Sequence, residues 1–467
     1  MPRSSKIPWR IARQMELSET KVRIFTRGGH RPNIHKFRRC ICGLLLSSLG
    51  TTLYAQQPSQ GDPAATLPLQ LQAEQNRPPA NSSEFLNQEL DSYIRAQALD
   101  KPNPLLRSQS LDEVPDRVTQ AARWLFDWES LKLGLTYTLL NQYAVDTPES
   151  VRHNQASGRF DLTGAMPLYD KGSTAGSFSL LVRGSTNIGI SQQFNLSDAL
   201  GSTTLINCLS GYGPARPISL NLLYYRQDFL HKRLSFYVGK IHPNQHITLS
   251  MFNNDERNQF LNGMNDGSIA VPSDGAWTGG AAMEYQATRH VYVHAVTADT
   301  EGSQQSNIAT LADKKYMNAV ELGWFSGSPG HQNHVYRVTV WRDDTKTSGS
   351  GHGVELEFDH EFANGLVPFG RFGYGTSTGT SLRMSNGIGL ADTHPFGRRG
   401  DMLAAALTFT RPSDLSKPHE NIFEAFYRLR LTQHTEIGPD VQVLVHPSNQ
   451  PQLTKTVILN ARMRIFF

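Results

Sequence analysis

Between Met251 and Gly263 the chain reads Met251-Phe252-Asn253-Asn254-Asp255-Glu256-Arg257-Asn258-Gln259-Phe260-Leu261-Asn262-Gly263. Amides and charged groups crowd around two phenylalanines. Carboxylates accept hydrogen bonds, guanidinium groups donate them and amides do both, so the stretch matches solutes that carry many hydroxyls and no charge. An ordinary solvated surface loop has the same composition, and composition leaves both readings open. A second group recurs at every other residue: Glu355, Glu357 and Asp359 in one run, Arg428 and Arg430 after Glu424 in another, and Arg462 with Arg464 near the end. That spacing puts each set on one face of a strand. Acids on one wall facing Arg371, Arg428, Arg430, Arg462 and Arg464 on another would set a transverse field across a passage and orient polar solutes. Tyr225, Tyr237, Trp341 and Phe426, expected on the same inward faces, offer aromatic surfaces to sugar rings. The plainer alternative is that all these groups hydrate and salt-bridge a wet wall.

Covalent chemistry has little support. The His-Glu-x-x-His pattern and the phosphate loop are absent, and the sixteen histidines are scattered, with His352, His360 and His446 at no ligand spacing. Of three cysteines, Cys40 and Cys42 fall in a leader and Cys208 stands apart, which excludes a disulfide framework and a thiolate metal site. The expectation is a protein without cofactor or metal, and not an enzyme.

The elements that must position these groups are strands. From Thr456 to Phe467 the odd positions Val457, Leu459, Ala461, Met463, Ile465 and Phe467 are apolar, while the even ones include Asn460, Arg462 and Arg464. One face wants hydrocarbon and the other water. Two arginines against a soluble core would be costly, whereas a membrane barrel with a wet lumen has no such difficulty. The closing Phe467 also matches an assembly signal for the barrel-insertion machinery. The same period of two runs through Leu131–Leu139, Arg159–Thr163 and Phe178–Arg183. It continues near 217–228, 233–242, 277–287, 290–298, 316–326, 334–343, 352–361, 366–376, 383–391, 401–410, 421–432, 437–446 and 455–467. The class is therefore all-β, a transmembrane antiparallel barrel of about sixteen strands. Connections alternate: 229–232, 288–289 and 362–365 are short, while 144–157, 187–216, 243–276 and 299–315 are long. The turn at 392–400 is longer than its neighbours on the short side. Soluble all-β folds give no reason for such alternation.

Bulk numbers agree. The chain has 467 residues with no apolar run near the roughly 20 that a membrane helix needs. Its pI near 8.8 misleads. Residues 1–55 hold 11 Lys+Arg and 2 Asp+Glu, and removing them leaves 34 basic against 39 acidic residues, so nucleic-acid binding has no support. Lys36, Arg38 and Arg39 followed by Ile41, Leu44, Leu45, Leu46 and Leu49 read as a signal peptide cleaved after Ala55, with Met15 as an alternative start. Residues 56–82 are rich in Pro, Gln, Ala and Ser, and apolar spacing predicts helices over 83–98 and 116–128. The organisation expected is a leader at 1–55, a flexible and helical periplasmic segment at 56–123, and the barrel at 124–467.

The residues also resemble a family. Phe236-Tyr237-Val238-Gly239-Lys240, then Asn253-Asn254-Asp255 and Phe260-Leu261-Asn262-Gly263, are similar to the carbohydrate-selective porins (OprB type) of Gram-negative outer membranes. So are Glu424-Ala425-Phe426-Tyr427-Arg428-Leu429, Ile437-Gly438-Pro439-Asp440-Val441-Gln442 and His446-Pro447. The resemblance runs from about Trp124 to Phe467, and the segment 301–350 departs from it most. It implies a sixteen-stranded barrel passing glucose and related sugars, with arginines and acids at a constriction and the 242–276 loop folded inward. The expected setting is the outer membrane, as monomer or homotrimer among lipid and lipopolysaccharide. The alternatives are a general porin of weak selectivity, or a barrel enzyme or adhesin acting through its loops.

Overall fold

A computed structural model describes residues 104–107, 109–125, 131–189, 194–204, 206–209, 218–250, 252–265, 277–300, 302, 309–328, 331–345, 349–376 and 382–467. The expected signal peptide, the 56–82 segment and the 83–98 helix lie outside these residues. All the described residues belong to one unit, Ala73–Phe467.

Among the described residues one helix, α1 (Gln109–Leu125), precedes the strands, seven residues earlier at its start than the spacing predicts. The strands are β1 (Lys132–Ala144), β2 (Asn154–Asp170), β3 (Ala175–Asn187), β4 (Ser219–Phe229), β5 (Leu234–Ile241), β6 (Thr278–Gln286), β7 (Val291–Asp299) and β8 (Tyr316–Ser328). They continue as β9 (His331–Thr345), β10 (Gly349–His360), β11 (Leu366–Gly375), β12 (Leu382–Asp392), β13 (Met402–Pro412), β14 (Asn421–Arg430), β15 (Thr435–Val445) and β16 (Lys455–Phe466). Each pairs antiparallel with its neighbours in sequence, and β16 returns to β1 in the register Leu139↔Met463 to close the barrel. Closure leaves no open sheet edge, the condition for spanning hydrocarbon with strands.

The period of two decides which side chains point where. Along β16 the even positions Thr456, Ile458, Asn460, Arg462 and Arg464 are buried, whereas Leu459 on the opposite face is 51 % exposed. Outward aromatics gather near both ends of the strands. Tyr169, Phe229, Phe236, Trp324, Tyr336 and Phe362 lie at the end of the short turns, and Tyr143, Tyr374, Phe409 and Phe423 at the end of the long loops. Two such girdles around an apolar band are what a bilayer requires of a barrel. Gly239 on β5 has φ +141°, and a Cβ there would lie 2.4 Å from the Leu223 carbonyl oxygen on β4, so only glycine fits.

One face assignment fails. Tyr225 points outward, its ring 5.3 Å from that of exposed Phe178, and Tyr224 takes the inward place, edge-on to Tyr237 at 5.7 Å. A bulge opposite Leu181/Val182 shifts the register of β4, and its Leu-Leu-Tyr-Tyr run is apolar on both faces, so alternation could not choose between them. The loop pattern holds with two exceptions: β9 and β10 are separated by only three residues on the long-loop side, and β12 and β13 by nine on the short-turn side.

Candidate functional site

In the third long connection, between β5 and β6, the described residues 242–250 and 252–265 enter the barrel and cross it. Their polar groups are tied to strands around most of the wall. His246 Nδ1 meets the Glu284 carboxylate of β6 at 3.0 Å, and the Thr248 amide donates to Glu321 of β8 at 2.6 Å. Ser250 Oγ donates to Asp359 of β10 at 2.6 Å, and Arg371 of β11 donates to the Thr248 carbonyl at 3.2 Å. Thr408 of β13 donates to Asn265 at 3.3 Å. The amides of Leu261 and Asn262 donate to the two oxygens of Glu424 on β14 at 2.5 and 3.0 Å. Arg462 of β16 donates to the Glu256 carbonyl at 2.7 Å, and Arg159 of β2 is ion-paired with the Glu256 side chain. Apolar residues seat the loop as well. Phe260 packs edge-on against Phe369 and Phe426 at 5.7 and 4.9 Å.

The loop residues singled out from sequence are thus inside the lumen. Asn253, Asp255, Glu256, Arg257 and Asn262 are buried, while Asn254 and Asn258 remain half-buried. Arg257 folds back on Asp255 at 2.5 Å, and Asn258 donates to the other Asp255 oxygen at 2.7 Å. Glu256 is held by more than one cation. Burial alone would raise its pKa, but Arg159, Arg257 and Arg183 outweigh it and keep the carboxyl well below the usual range. Asp161 on β2 completes this cluster, taking Arg183 at 2.5 Å and Arg159 at 3.2 Å.

The wall residues divide differently from two opposed arcs. Arg371 does not face the acids. It is paired with Glu357 and lies 3.4 Å from Glu355, both on the adjacent strand β10. Arg337 of β9, absent from the sequence reading, takes Glu357 at 2.9 Å and Asp359 at 2.8 Å. The acidic stripe is therefore compensated on the spot, as buried carboxylates must be. The other arginines do form a basic patch. Arg428 and Arg430 on β14 and Arg462 and Arg464 on β16 flank β15, where Glu436 is paired with Arg430 and lies 3.9 Å from Arg464. Trp341 points inward into a cluster with Tyr224, Tyr237 and Trp277, and its indole nitrogen donates to nothing among the described residues. Phe426 also points inward, beneath Arg462 with the guanidinium carbon 5.8 Å from the ring centre.

A second inward loop was not foreseen. Within 188–218, between β3 and β4, lies the single turn α2 (Leu196–Ala199). Leu196, Leu200 and Ile206 pack on Ala144, Ile422, Leu444 and Ile458 of the wall. Glu420 accepts from Ser202 and Thr204 at 2.8 and 2.5 Å, Gln442 donates to the Ile206 carbonyl at 2.9 Å, and Cys208 joins the third loop through Leu261 at 3.0 Å. The signal was Ile458, Ile422 and Leu444, apolar residues on the polar face of their strands, which called for a cover. Arg159, Asp161 and Arg183 were visible as inward polar residues but were not singled out.

At the other end, Leu105 and Leu106 donate to the carbonyls of Arg430 and Leu431 at 3.0 and 2.8 Å, and His434 Nε2 lies 3.0 Å from Asp116 of α1. The pre-barrel segment is thereby fastened at the short-turn rim. One Gly-x-Ser-x-Gly run, Gly375–Gly379, links the antiparallel strands β11 and β12 rather than a strand and a helix, so it lacks the setting of a nucleophile elbow.

Residues 183–467 match the profile described as carbohydrate-selective porin, OprB family. Porin AaxA of Chlamydia caviae is 24% identical over 286 residues, covering 58% of this chain and 61% of the relative. Porin AaxA of Chlamydia felis is likewise 24% identical over 286 residues, with 57% and 61% covered. The chain thus spans about three fifths of the length of the curated relatives it matches. Among solved structures, OprB of Pseudomonas putida at high pH superposes with a TM-score of 0.62 at 15% identity, covering 76% of this chain and 97% of that one, a likeness of fold.

Proposed function

This chain belongs to the carbohydrate-selective porin, OprB family, and from that premise we propose that it is an outer-membrane channel for facilitated diffusion of sugars, glucose and its relatives among them. The reading rests on the loop between β5 and β6, whose described residues cross a sixteen-stranded barrel and are bonded to strands on most sides of it. A loop anchored in this way fixes an aperture. The groups that edge it, Asn254 and Asn258 above all, are amides able to donate and accept against hydroxyls. Binding must be weak for passage to be fast, so selectivity comes from pore width and hydrogen-bond matching rather than from tight capture. The charged clusters serve chiefly to hold the loop, because most of their donors and acceptors are spent on one another. In the membrane the long loops face outward and the short-turn rim, with α1, faces the periplasm. The 36–55 segment directs secretion, and Phe467 contributes to recognition by the barrel-assembly machinery.

Planar-bilayer recording tests this. Purified protein should give discrete channels whose current falls as glucose or short glucose oligomers are added. Open channels indifferent to every sugar would leave only a general porin, and no channels at all would remove both readings.

A further inference from the structure

Two arginines of the basic patch differ from the rest. Arg430 and Arg464 share Glu436, but neither Arg428 nor Arg462 forms an ion pair among the described residues. Arg428 has one weak contact, Nη1 to Asn258 Oδ1 at 3.4 Å, and its Nε makes no hydrogen bond. Arg462 spends Nη1 on the Glu256 carbonyl, and its Nη2 makes no hydrogen bond although the side chain is only 4 % exposed. The nearby Glu424 takes two loop amides and Asp440 gives one oxygen to Asn460; the other Asp440 oxygen makes no hydrogen bond among the described residues, and neither carboxylate comes within ion-pair distance of Arg462.

Between the two arginines stands Gly438 on β15. It pairs with Arg462, and the register that sets Phe426 against Asp440 and Leu429 against Ile437 puts Arg428 on its other side. Glu436 and Asp440 flank it on the lumen face, so the missing side chain is a lumen one. The backbone does not require glycine here. A Cβ at Gly438 would lie 3.6 Å from Arg462 Nη2 and 3.4 Å from the Tyr427 carbonyl, ordinary contact distances, and its φ is not among the positive ones. What the glycine leaves is a notch, a gap in the row of lumen side chains, with the Arg462 guanidinium lying over one side of it (Nη2 and Nε 3.6 and 3.7 Å from where a Cβ would stand). Arg428, its stem about 10 Å or two strand spacings from that of Arg462, lies on the other side. The carbonyl of Glu256 and the amide of Asn258 roof the notch from the constriction side, and Arg428 beside it is half-buried.

We propose that this notch binds the oxyanion of a passing solute, so that the channel favours sugars bearing a carboxylate or phosphate over the neutral sugar. The inference rests on the sugar-channel reading and sharpens its substrate class. A guanidinium presents parallel N–H donors that fit a carboxylate or phosphate, and two of them outside any direct ion pair, with donors still unspent, attract such a group. The hydroxylated remainder of the solute then meets Asn258 and Asn254 as it leaves the aperture.

The test is block of single-channel current by glucose, gluconate and glucose 6-phosphate, with acetate and inorganic phosphate as small-anion controls. Gluconate or glucose 6-phosphate should half-block the native channel at a roughly tenfold lower concentration than glucose, a difference of about 1.4 kcal/mol. Which of the two blocks better tells carboxylate from phosphate. In Arg428→Gln, and in Gly438→Glu, which fills the notch with a carboxylate, the ratio of anionic to neutral block should fall to about one. Equal block by gluconate, glucose 6-phosphate and glucose in the native channel overturns the inference. So does a ratio that survives both variants, or acetate or phosphate blocking as well as the sugar acids, which would mean an adventitious ion only. Heat-resistant migration on gels confirms that each variant is a folded barrel. Failure of glucose and the anionic sugars alike would count against the sugar-channel reading itself, whereas glucose block without an anionic advantage removes only the notch.

Discussion

The bond between Glu424 and the tip of the third loop sets a measurable quantity. Its two carboxylate oxygens take the amide hydrogens of Leu261 and Asn262 at 2.5 and 3.0 Å, and the residue is fully buried. Leaving a buried donor without its acceptor costs roughly 1–3 kcal/mol, so Glu424→Ala, which strands two buried N–H groups, should cost the seated loop about 2–6 kcal/mol. The loop retains its ties to Glu321, Asp359 and Arg159. The expected outcome is therefore release of the 260–265 tip rather than loss of the loop or the barrel. Freed from β14, the tip swings and the aperture widens intermittently. Single-channel recordings of Glu424→Ala should show higher mean conductance with strong open-channel noise, and the melting of the barrel on gels should change little. Glu424→Gln keeps one acceptor and should fall between native and Ala. As a control, Asp414→Ala in the exposed turn before β14 should leave conductance and noise native. If Glu424→Ala gave native conductance and native noise in a folded channel, the tip would not border the conducting path, and the reasoning from anchor to aperture would fail.

Deleting Asn253–Asn262 should raise conductance severalfold and abolish sugar block, while a deletion of similar length within 300–315 should alter neither; indistinguishable recordings from the two would refute the inward aperture. Leu459→Arg, on the outward face of β16, should destabilise the barrel by about 2–4 kcal/mol if it lies near the bilayer midplane, read as a lower temperature for loss of the compact band on gels. Asn460→Ala faces inward, where Asn460 accepts from Gln142 at 2.9 Å and donates to Asp440 at 2.5 Å, and should cost only about 1–3 kcal/mol; a Leu459→Arg barrel as heat-resistant as the native one would reverse the faces. Glu256 has its pKa lowered by Arg159, Arg257 and Arg183, so its contribution is complete above the ordinary glutamate value near 4.3 and is lost as pH falls below it. Conductance should then be flat from about pH 8 to pH 5 and grow noisy below about pH 4, and noise that instead appeared on raising the pH would contradict the sign.

The barrel could be read in the chain because a strand between lipid and water has only one pattern available to it. The alternation Leu459, Ala461, Met463 against Asn460, Arg462, Arg464 survives intact into β16, and even the Gly-rich 383–391 stretch proves to be β12 (Leu382–Asp392). Where both faces are apolar the pattern is silent, and Tyr224/Tyr225 was misread for that reason. The inward third loop was expected from the family resemblance, since its crowd of amides and charges suits a solvated surface loop equally well; the second was not expected, because Leu196, Leu200 and Ile206 among polar residues look like any loop until Ile458 and Leu444 are seen opposite them. Partnerships were the least legible part. Which arginine neutralises which acid depends on strand register, and Arg371 beside Glu357 follows from the β10–β11 pairing that single-strand alternation does not contain.

The anchors of the third loop are scattered along the chain. Arg159 lies in β2, Glu321 in β8, Asp359 in β10, Glu424 in β14 and Arg462 in the last strand. A loop made midway through the chain therefore waits for residues some two hundred positions downstream before it can settle, since Arg462 is 206 positions from Glu256. Until β16 zips onto β1, the lumen has neither its last guanidinium groups nor a closed wall to hold them. The narrow passage thus belongs to the finished circle alone. A barrel lacking its last hairpin would have neither Arg462 nor the pairing of the first and last strands, so the seat of the loop is complete only when the seam is closed.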